Sequence, residues 1–240
     1  MEMKQIIIAH LYPREMSIYG DTGNIRALVQ RLAWRGYEPV VKAVGIGQPF
    51  DFSEVDIVFG GGGQDRGQVL VGADLLERGG ALRKAAADGM PMLLVCGLYQ
   101  LFGREFMTNE GKTIPGIGVF DMTTTGSDTR MIGNIVVESP YGRLVGFENH
   151  SGATILGKAQ RALGKVKKGY GNEPKSKREG ALNGNVIGTY LHGPILPKNP
   201  ALADHLILQA LQRKYGVTEL TQLDDALELQ AAKIAQSRSQ

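Results

Sequence analysis

The sequence predicts an α/β fold, a mostly parallel sheet with helices on both faces. Four short runs rich in Val, Ile and Leu point to it: "QIIIAHLY" (5–12), "EPVVKAV" (38–44), "VDIVFGG" (55–61) and "MPMLLVC" (90–96). Each ends in turn residues, as strands do. Their apolar character is nearly continuous, the pattern of strands covered on both faces. Helical periodicity fills the gaps, giving the order β-α-β-β-α-β.

The elements follow in order. After the first strand, Asp21 or Asn24 can cap a helix in which Ile25, Leu28, Val29 and Leu32 recur at i, i+3, i+4 and i+7, with Gly36 as a stop signal. Residues 67–88 read as a second helical region, broken near Gly79-Gly80. Residues 104–195 are rich in Gly, Thr and β-branched residues, as in "GIGVFDMTT", "RMIGNIVVES", "RLVGFENHSGATI" and "NVIGTYLHG", and read as strands and hairpins. Within 200–215, Ala203, Leu206, Ile207 and Ala210 make one apolar helix stripe. Leu220, Leu223, Leu227, Ala231 and Ile234 form a last amphipathic pattern that can pack on this domain or on a partner. This gives one domain over 1–215 and an appended helix and tail over 216–240, the final "QSRSQ" being expected to fray.

Composition narrows the function classes. One cysteine excludes an internal disulfide and suits a reducing compartment. No apolar run reaches the roughly 18–20 residues of a membrane span, and the start lacks a signal-peptide core; a cytoplasmic protein is expected. A net charge of +3 is too weak to imply nucleic acid. Basic residues do cluster in "GKVKKGYGNEPKSKREG" (164–180), either a solvated loop or a patch for an anionic ligand or partner.

Chemistry concentrates at a few places. Cys96 ends the fourth apolar run and is followed by Gly97 and a short helical stretch. Strand, sharp turn and helix make a nucleophile elbow, where the positive end of the helix favours thiolate over thiol. Such a turn favours Gly at the next position, which adopts unusual dihedrals at little cost. A free cysteine is also among the most buried residue types, so the local pattern leaves both readings open. "FGGGGQD" (59–65) can bring backbone N–H groups close to a ligand, or be a flexible turn. "GKT" (111–113) lacks the first glycine of a P-loop, Phe106 standing there, so ATP binding through it is rejected. Among four histidines, His10 and His205 read as structural or surface residues and His150 is ambiguous. His192 enters a Gly-Pro turn after a strand, where a base for a cysteine belongs. No metal-ligand spacing is present. Arg130 is a lone charge at the start of an apolar strand, a surface arginine or a carboxylate clamp.

Together these pieces resemble the class I glutamine amidotransferases, in the branch of the cobyric acid synthases and the glutaminase subunits of lipid II isoglutaminyl synthases. The matching stretches include "AHLYPREMSIYGDTGNI" (9–25), "FGGGGQD", "VCGLYQLFG" (95–103), "TRMIGNIVV" (129–137), "GFENHSGAT" (146–154) and "GTYLHGPILPKNPALAD" (188–204), in family order over residues 4–215. The resemblance implies a flavodoxin-like fold with added β-hairpins. It implies Cys96 as nucleophile on the glutamine amide, His192 as base and acid, and Arg130 on the substrate α-carboxylate. Backbone N–H groups of Gly61, Gly62, Gly97 and Leu98 would form the oxyanion hole. It also implies a Mur-ligase-like partner subunit that carries ATP and Mg and amidates the D-glutamate α-carboxylate of lipid II at the inner face of the membrane; no cofactor is expected in this chain. Rivals are a glutaminase serving another acceptor, such as a corrinoid carboxylate, a cysteine hydrolase for another amide, and a non-catalytic scaffold that binds a partner.

Two departures from the family pattern stand out. Pro194 occupies the place of the glutamate that orients the histidine in the commonest class I pattern, so either a Cys–His dyad suffices or, as is expected here, a carboxylate comes from elsewhere, the partner chain being one source. Leu98 stands where the usual elbow has Gly, and a positive φ there would be strained.

Overall fold

The computed structural model describes residues 3–238. Strands β1 (Gln5–Leu11), β2 (Glu38–Val44), β3 (Ile57–Gly60) and β4 (Met92–Val95) alternate with helices α1 (Thr22–Ala33) and α2 (Asp65–Ala87) in the expected order. A short helix α3 (Gly97–Leu101) follows. Then come β5 (Glu105–Met107), β6 (Thr113–Pro115), β7 (Met122–Ser139), β8 (Gly142–Leu156), β9 (Gly164–Lys168), β10 (Arg178–Glu179), β11 (Ala181–Asn183) and β12 (Val186–Thr189). Helices α4 (Pro200–Tyr215) and α5 (Ala226–Ser237) close the chain.

The central sheet has the order β11-β12-β4-β3-β1-β2. Every pair is parallel except β11–β12 at one edge. Its five parallel strands follow the flavodoxin-like order, whose ligands bind beyond the carboxyl ends of the strands. β3 and β4 are buried throughout, and β1 is buried beyond Gln5. A second sheet, β10-β9-β7-β5-β6 with β8 on β7, holds the β-rich middle of the sequence. Its long β7–β8 hairpin shifts register between Gly126 and Met131. Among the described residues no helix is long and apolar enough to cross a membrane.

Three sequence expectations are corrected. Helix α2 is continuous through Gly79-Gly80. A Cβ on Gly79 would lie 3.0 Å from Ile117 Cγ2, so the glycine admits a neighbouring segment rather than ending the helix. At α1 neither Asp21 nor Asn24 caps: Asp21 sits at the N-cap position without a capping bond, and Asn24 Oδ1 accepts from Leu196 N at 2.9 Å. After Gly216 (φ 70) the chain forms no helix until Ala226. Leu220 packs on the core from this stretch, whereas no residue of α5 is buried. Buried Arg31 ties the segment down, bonding Asp204 at 2.8 Å and Asp225 at 2.5 Å, and Arg35 reaches Thr221 O at 2.8 Å. Gln236 and Ser237 of the terminal "QSRSQ" remain within α5, and Ser239 and Gln240 lie outside the described residues. In the basic segment, Lys167 pairs with Glu138 at 3.1 Å, and Lys168 Nζ donates to the carbonyl of Arg238.

Glu179 is fully buried beneath the end of β12, accepting from Thr189 Oγ1 and Tyr190 N, each at 2.7 Å. Burial pushes its carboxyl from 4.5 up to about 7 against those hydrogen bonds, and the charge of Glu148 adds to the rise. A carboxyl raised by folding contributes stability below its unfolded value and loses it as pH climbs through the folded one. Glu179→Gln keeps an acceptor and cannot ionise. Urea titrations should show the variant gaining stability relative to the parent between about pH 4.5 and 7. A pH-independent difference would contradict this.

Candidate active site

The site is built at the carboxyl end of the central sheet, beginning with Cys96. Between β4 and α3 this residue adopts φ 48, ψ −103, outside the regions open to L-residues. Such strain costs about 1–3 kcal/mol and persists only where neighbours enforce it. Here Cys96 N donates to Thr189 O at 2.8 Å, and Cys96 O accepts from Gln100 N at 2.9 Å. The strain lies on the cysteine itself, which corrects the expectation for its neighbours. Neither Gly97 nor Leu98 has a positive φ. Gly97 is required for space: a Cβ there would lie 2.7 Å from Met16 Cε and 2.9 Å from Gly63 N. Leu98 is helical and buried, and its Cδ1 lies 2.3 Å from where a Cβ on Gly60 would stand. The bulk of Leu98 is therefore matched by a glycine beneath it.

His192 follows β12 and is clamped by an antiparallel bridge, its N donating to Phe147 O at 2.8 Å and its O accepting from Phe147 N at 3.1 Å. The ring is wholly buried, and Nδ1 lies 3.2 Å from Asp21 Oδ1. The other Asp21 oxygen accepts from Gly62 N at 2.6 Å. A fully buried carboxylate thus orients the imidazole from within this chain. Sequence reading missed it because an aspartate before a helix reads as a cap. Pro194, in the place of the usual glutamate, packs against the start of α1, its Cγ 2.4 Å from where a Cβ on Gly23 would lie.

Burial alone would lower the His192 pKa, but the charge of Cys96 and the hydrogen bond to Asp21 together hold it well above the usual imidazole range. Among the described residues its Nε2 has no hydrogen-bond partner, and Cys96 is one of the causes that raise the ring. Catalytic hydrogen bonds are often long or misaligned before substrate arrives. Gly62 lies against both groups: a Cβ there would be 2.6 Å from His192 Cε1 and 3.2 Å from Cys96 Cβ. Gly62→Ala should therefore reduce turnover about 100-fold or more by prising the pair apart. Steady-state rates set beside a thermal melt would check this, and near-parental turnover would contradict it.

A cleft of about 350 Å³ opens over Cys96, lined among others by Tyr19, Gln68, Gln100, Arg130 and Asn149. Gln68 Nε2 donates to Gly97 O at 3.2 Å and to Gln100 Oε1 at 2.7 Å, and Gln100 Nε2 donates to Tyr190 Oη at 3.0 Å. Arg130 stands at the mouth, donating from Nε to Asn149 Oδ1 at 2.7 Å and from Nη2 to Tyr19 Oη at 3.1 Å. His150 also lines the cleft, stacked on Tyr190 at 3.6 Å, and burial lowers its pKa. His10 is buried on β1, where desolvation lowers it to about 4. His205 packs against Tyr141 at 4.6 Å.

Of the four backbone groups expected at an oxyanion hole, two are engaged elsewhere. Gly62 N donates to Asp21, and Leu98 N donates to Gly61 O at 3.3 Å. Gly97 opens α3, so its N–H has no partner inside the helix. Of the site residues singled out from the sequence, Cys96 and Arg130 line the cleft and His192 lies with Cys96 against Gly62, while Asp21, Tyr19, Gln68, Gln100 and Asn149 were not singled out as such. Gln68 and Gln100 did lie near quoted motifs, yet a glutamine within a helical pattern carries no distinguishing signal.

Residues 7–200 match the CobB/CobQ-like glutamine amidotransferase domain. The chain belongs to this family. The subunit GatD of the lipid II isoglutaminyl synthase (glutamine-hydrolyzing) of Staphylococcus aureus strain N315 is 40% identical over 238 residues, covering 99% of this chain and 97% of that one. The GatD subunit of Streptococcus pneumoniae is 39% identical, covering 88% and 83%. A probable cobyric acid synthase of Methanosphaera stadtmanae is 34% identical over 49% of this chain but only 27% of its own length. Among solved structures, a glutamine amidotransferase superposes with a TM-score of 0.58 at 15% identity, covering 84% of this chain and 98% of the other. A second, from Thermotoga maritima, gives 0.51 at 12%, covering 96% and 93%. Both show the shared flavodoxin-like fold. As a member of the glutamine amidotransferase family the chain is an enzyme of amide-nitrogen chemistry, and its non-catalytic rival falls away.

Proposed function

We propose that this chain is the glutaminase subunit of a lipid II isoglutaminyl synthase. The reading is carried by similarity over almost the whole length of the S. aureus GatD subunit. The cobyric acid synthases match only about half of this chain at lower identity, whereas the S. aureus subunit matches 99% of it, which favours the GatD reading over the corrinoid alternative. In the proposed reaction the Cys96 sulfur attacks the side-chain amide carbon of L-glutamine. The oxyanion is met by the N–H of Gly97 together with the glycine stretch that includes Gly61. As the C–N bond breaks, His192 delivers its proton to the departing ammonia, leaving a γ-glutamyl thioester. Water then attacks with His192 as base, and glutamate leaves as the thiol reforms. Asp21 keeps the Nδ1 proton facing itself throughout, so that Nε2 serves the sulfur.

Arg130 is proposed to bind the substrate α-carboxylate. Arg130→Ala should raise KM for glutamine about 100-fold, measured as ammonia release; an unchanged KM would remove the residue from the binding site.

Ammonia would pass to a Mur-ligase-like partner that holds ATP and Mg and activates the D-glutamate α-carboxylate of lipid II. Acting on a lipid-linked acceptor, the proposed complex would work at the inner face of the membrane. The basic segment 164–180 is a proposed face toward the partner or the anionic head group. The test is amidation of lipid II by the co-purified complex with ATP. The Cys96→Ala complex should lose amidation driven by glutamine and retain that driven by ammonium. Retention of the glutamine-driven reaction would refute the proposal.

A further inference from the structure

Tyr19 is an anomaly at the mouth of the cleft. It has φ 53, which for a bulky aromatic is a real outlier that carries a strain cost. The residue is 40% exposed, so burial does not offset that cost. Two contacts account for its position. Its phenolic oxygen accepts from Arg130 Nη2 at 3.1 Å. Its ring lies edge-on to His192, 5.1 Å between centroids and 73° between planes. Gly20 (φ 78) and then Asp21 follow directly, so one strained turn delivers both the ring over His192 and the carboxylate to its Nδ1.

The effect on Arg130 is specific. Nε is held by Asn149 and Nη2 by Tyr19. Among the described residues nothing bonds Nη1, so an N–H from each Nη nitrogen is left for an incoming group. That pair matches the two oxygens of a carboxylate. An exposed arginine on a flexible stem would otherwise have to be immobilised by the substrate itself, at a cost in affinity.

We propose that Tyr19 is a specificity-determining positioning residue, which holds Arg130 end-on toward the substrate α-carboxylate while its ring keeps His192 in place. This rests on the glutaminase reading above. It separates two roles within one side chain: the hydroxyl acts on substrate selection, and the ring acts on turnover.

The experiment uses the full-length chain and steady-state ammonia release from L-glutamine and from 4-aminobutanamide, the same molecule without the carboxylate. Tyr19→Phe should raise KM for glutamine about tenfold while kcat stays within about threefold, and the preference for glutamine over 4-aminobutanamide should fall about tenfold. Asn149→Ala, which removes the partner of Arg130 Nε and leaves the Tyr19 ring against His192, should do the same. Tyr19→Leu should show that KM effect together with a fall in kcat of about tenfold. If Tyr19→Phe keeps the parental KM and preference, or slows both amides equally, the proposal is overturned. Parental protein that releases no ammonia from glutamine would refute the functional reading itself, an outcome distinct from release that Tyr19→Phe leaves untouched.

Discussion

Cys96→Ser should lower kcat for ammonia release from glutamine at least about 10⁴-fold while leaving the melting transition within a few degrees of the parent. Two arguments set the size of the effect. The residue occupies the single strained position of the elbow, with its backbone fixed by Thr189 and Gln100. The scaffold therefore offers no second nucleophile at that point. A hydroxyl is also far harder to ionise than a thiol, and the raised His192 pKa depends on the sulfur's charge. The stability expectation follows from size: serine fits a site made for cysteine, and the hydrogen bonds that hold the turn are backbone bonds. Coupled glutamate release and thermal melting check both halves. Activity within tenfold of the parent would show that the thiol is not the nucleophile.

Asp21→Asn carries the second largest effect, a fall in kcat of about 10³-fold. Asp21 bridges two groups, accepting from Gly62 N at 2.6 Å and facing His192 Nδ1 at 3.2 Å. If the asparagine oxygen takes the Gly62 N–H, its amide NH₂ faces Nδ1 and donates to it. The ring proton is then forced to Nε2, so the nitrogen that faces the sulfur can no longer accept a proton from the thiol. The same substitution removes one of the interactions that raise His192, so the ring gives up its proton at lower pH. The alkaline limb of the kcat/KM profile should accordingly move to lower pH. Parental kcat with an unmoved alkaline limb would mean that a carboxylate outside this chain orients the histidine.

The legible and illegible parts of this sequence divide along physical lines. Strands β1, β3 and β4 could be read because burial on both faces leaves near-continuous apolar runs. The stripe of α4 could be read because its buried residues keep helical spacing. The glycines could not, since one residue type serves several ends. At 79 a glycine lets Ile117 approach without breaking the helix, at 97 it makes room for Met16, and at 60 it makes room for Leu98. Asp21 was hidden for a related reason. Its local setting is that of a helix cap, and only the fold reveals that its carboxylate turns away to a histidine 171 residues further along. Cys96 and His192 were accessible because a strand end followed by a tight turn is a local signal. The tether of Arg130 to Tyr19 spans 111 residues and leaves none.

The most direct test of the central claim, that Cys96 attacks the side-chain carbon of bound glutamine, is covalent trapping. The full-length chain is treated with 6-diazo-5-oxo-L-norleucine, a glutamine analogue that alkylates the attacking nucleophile, and its mass is measured intact and after digestion. One adduct per chain is expected, on the peptide carrying Cys96, suppressed by excess L-glutamine. An adduct elsewhere, none at all, or labelling of Cys96 that glutamine does not slow would contradict it.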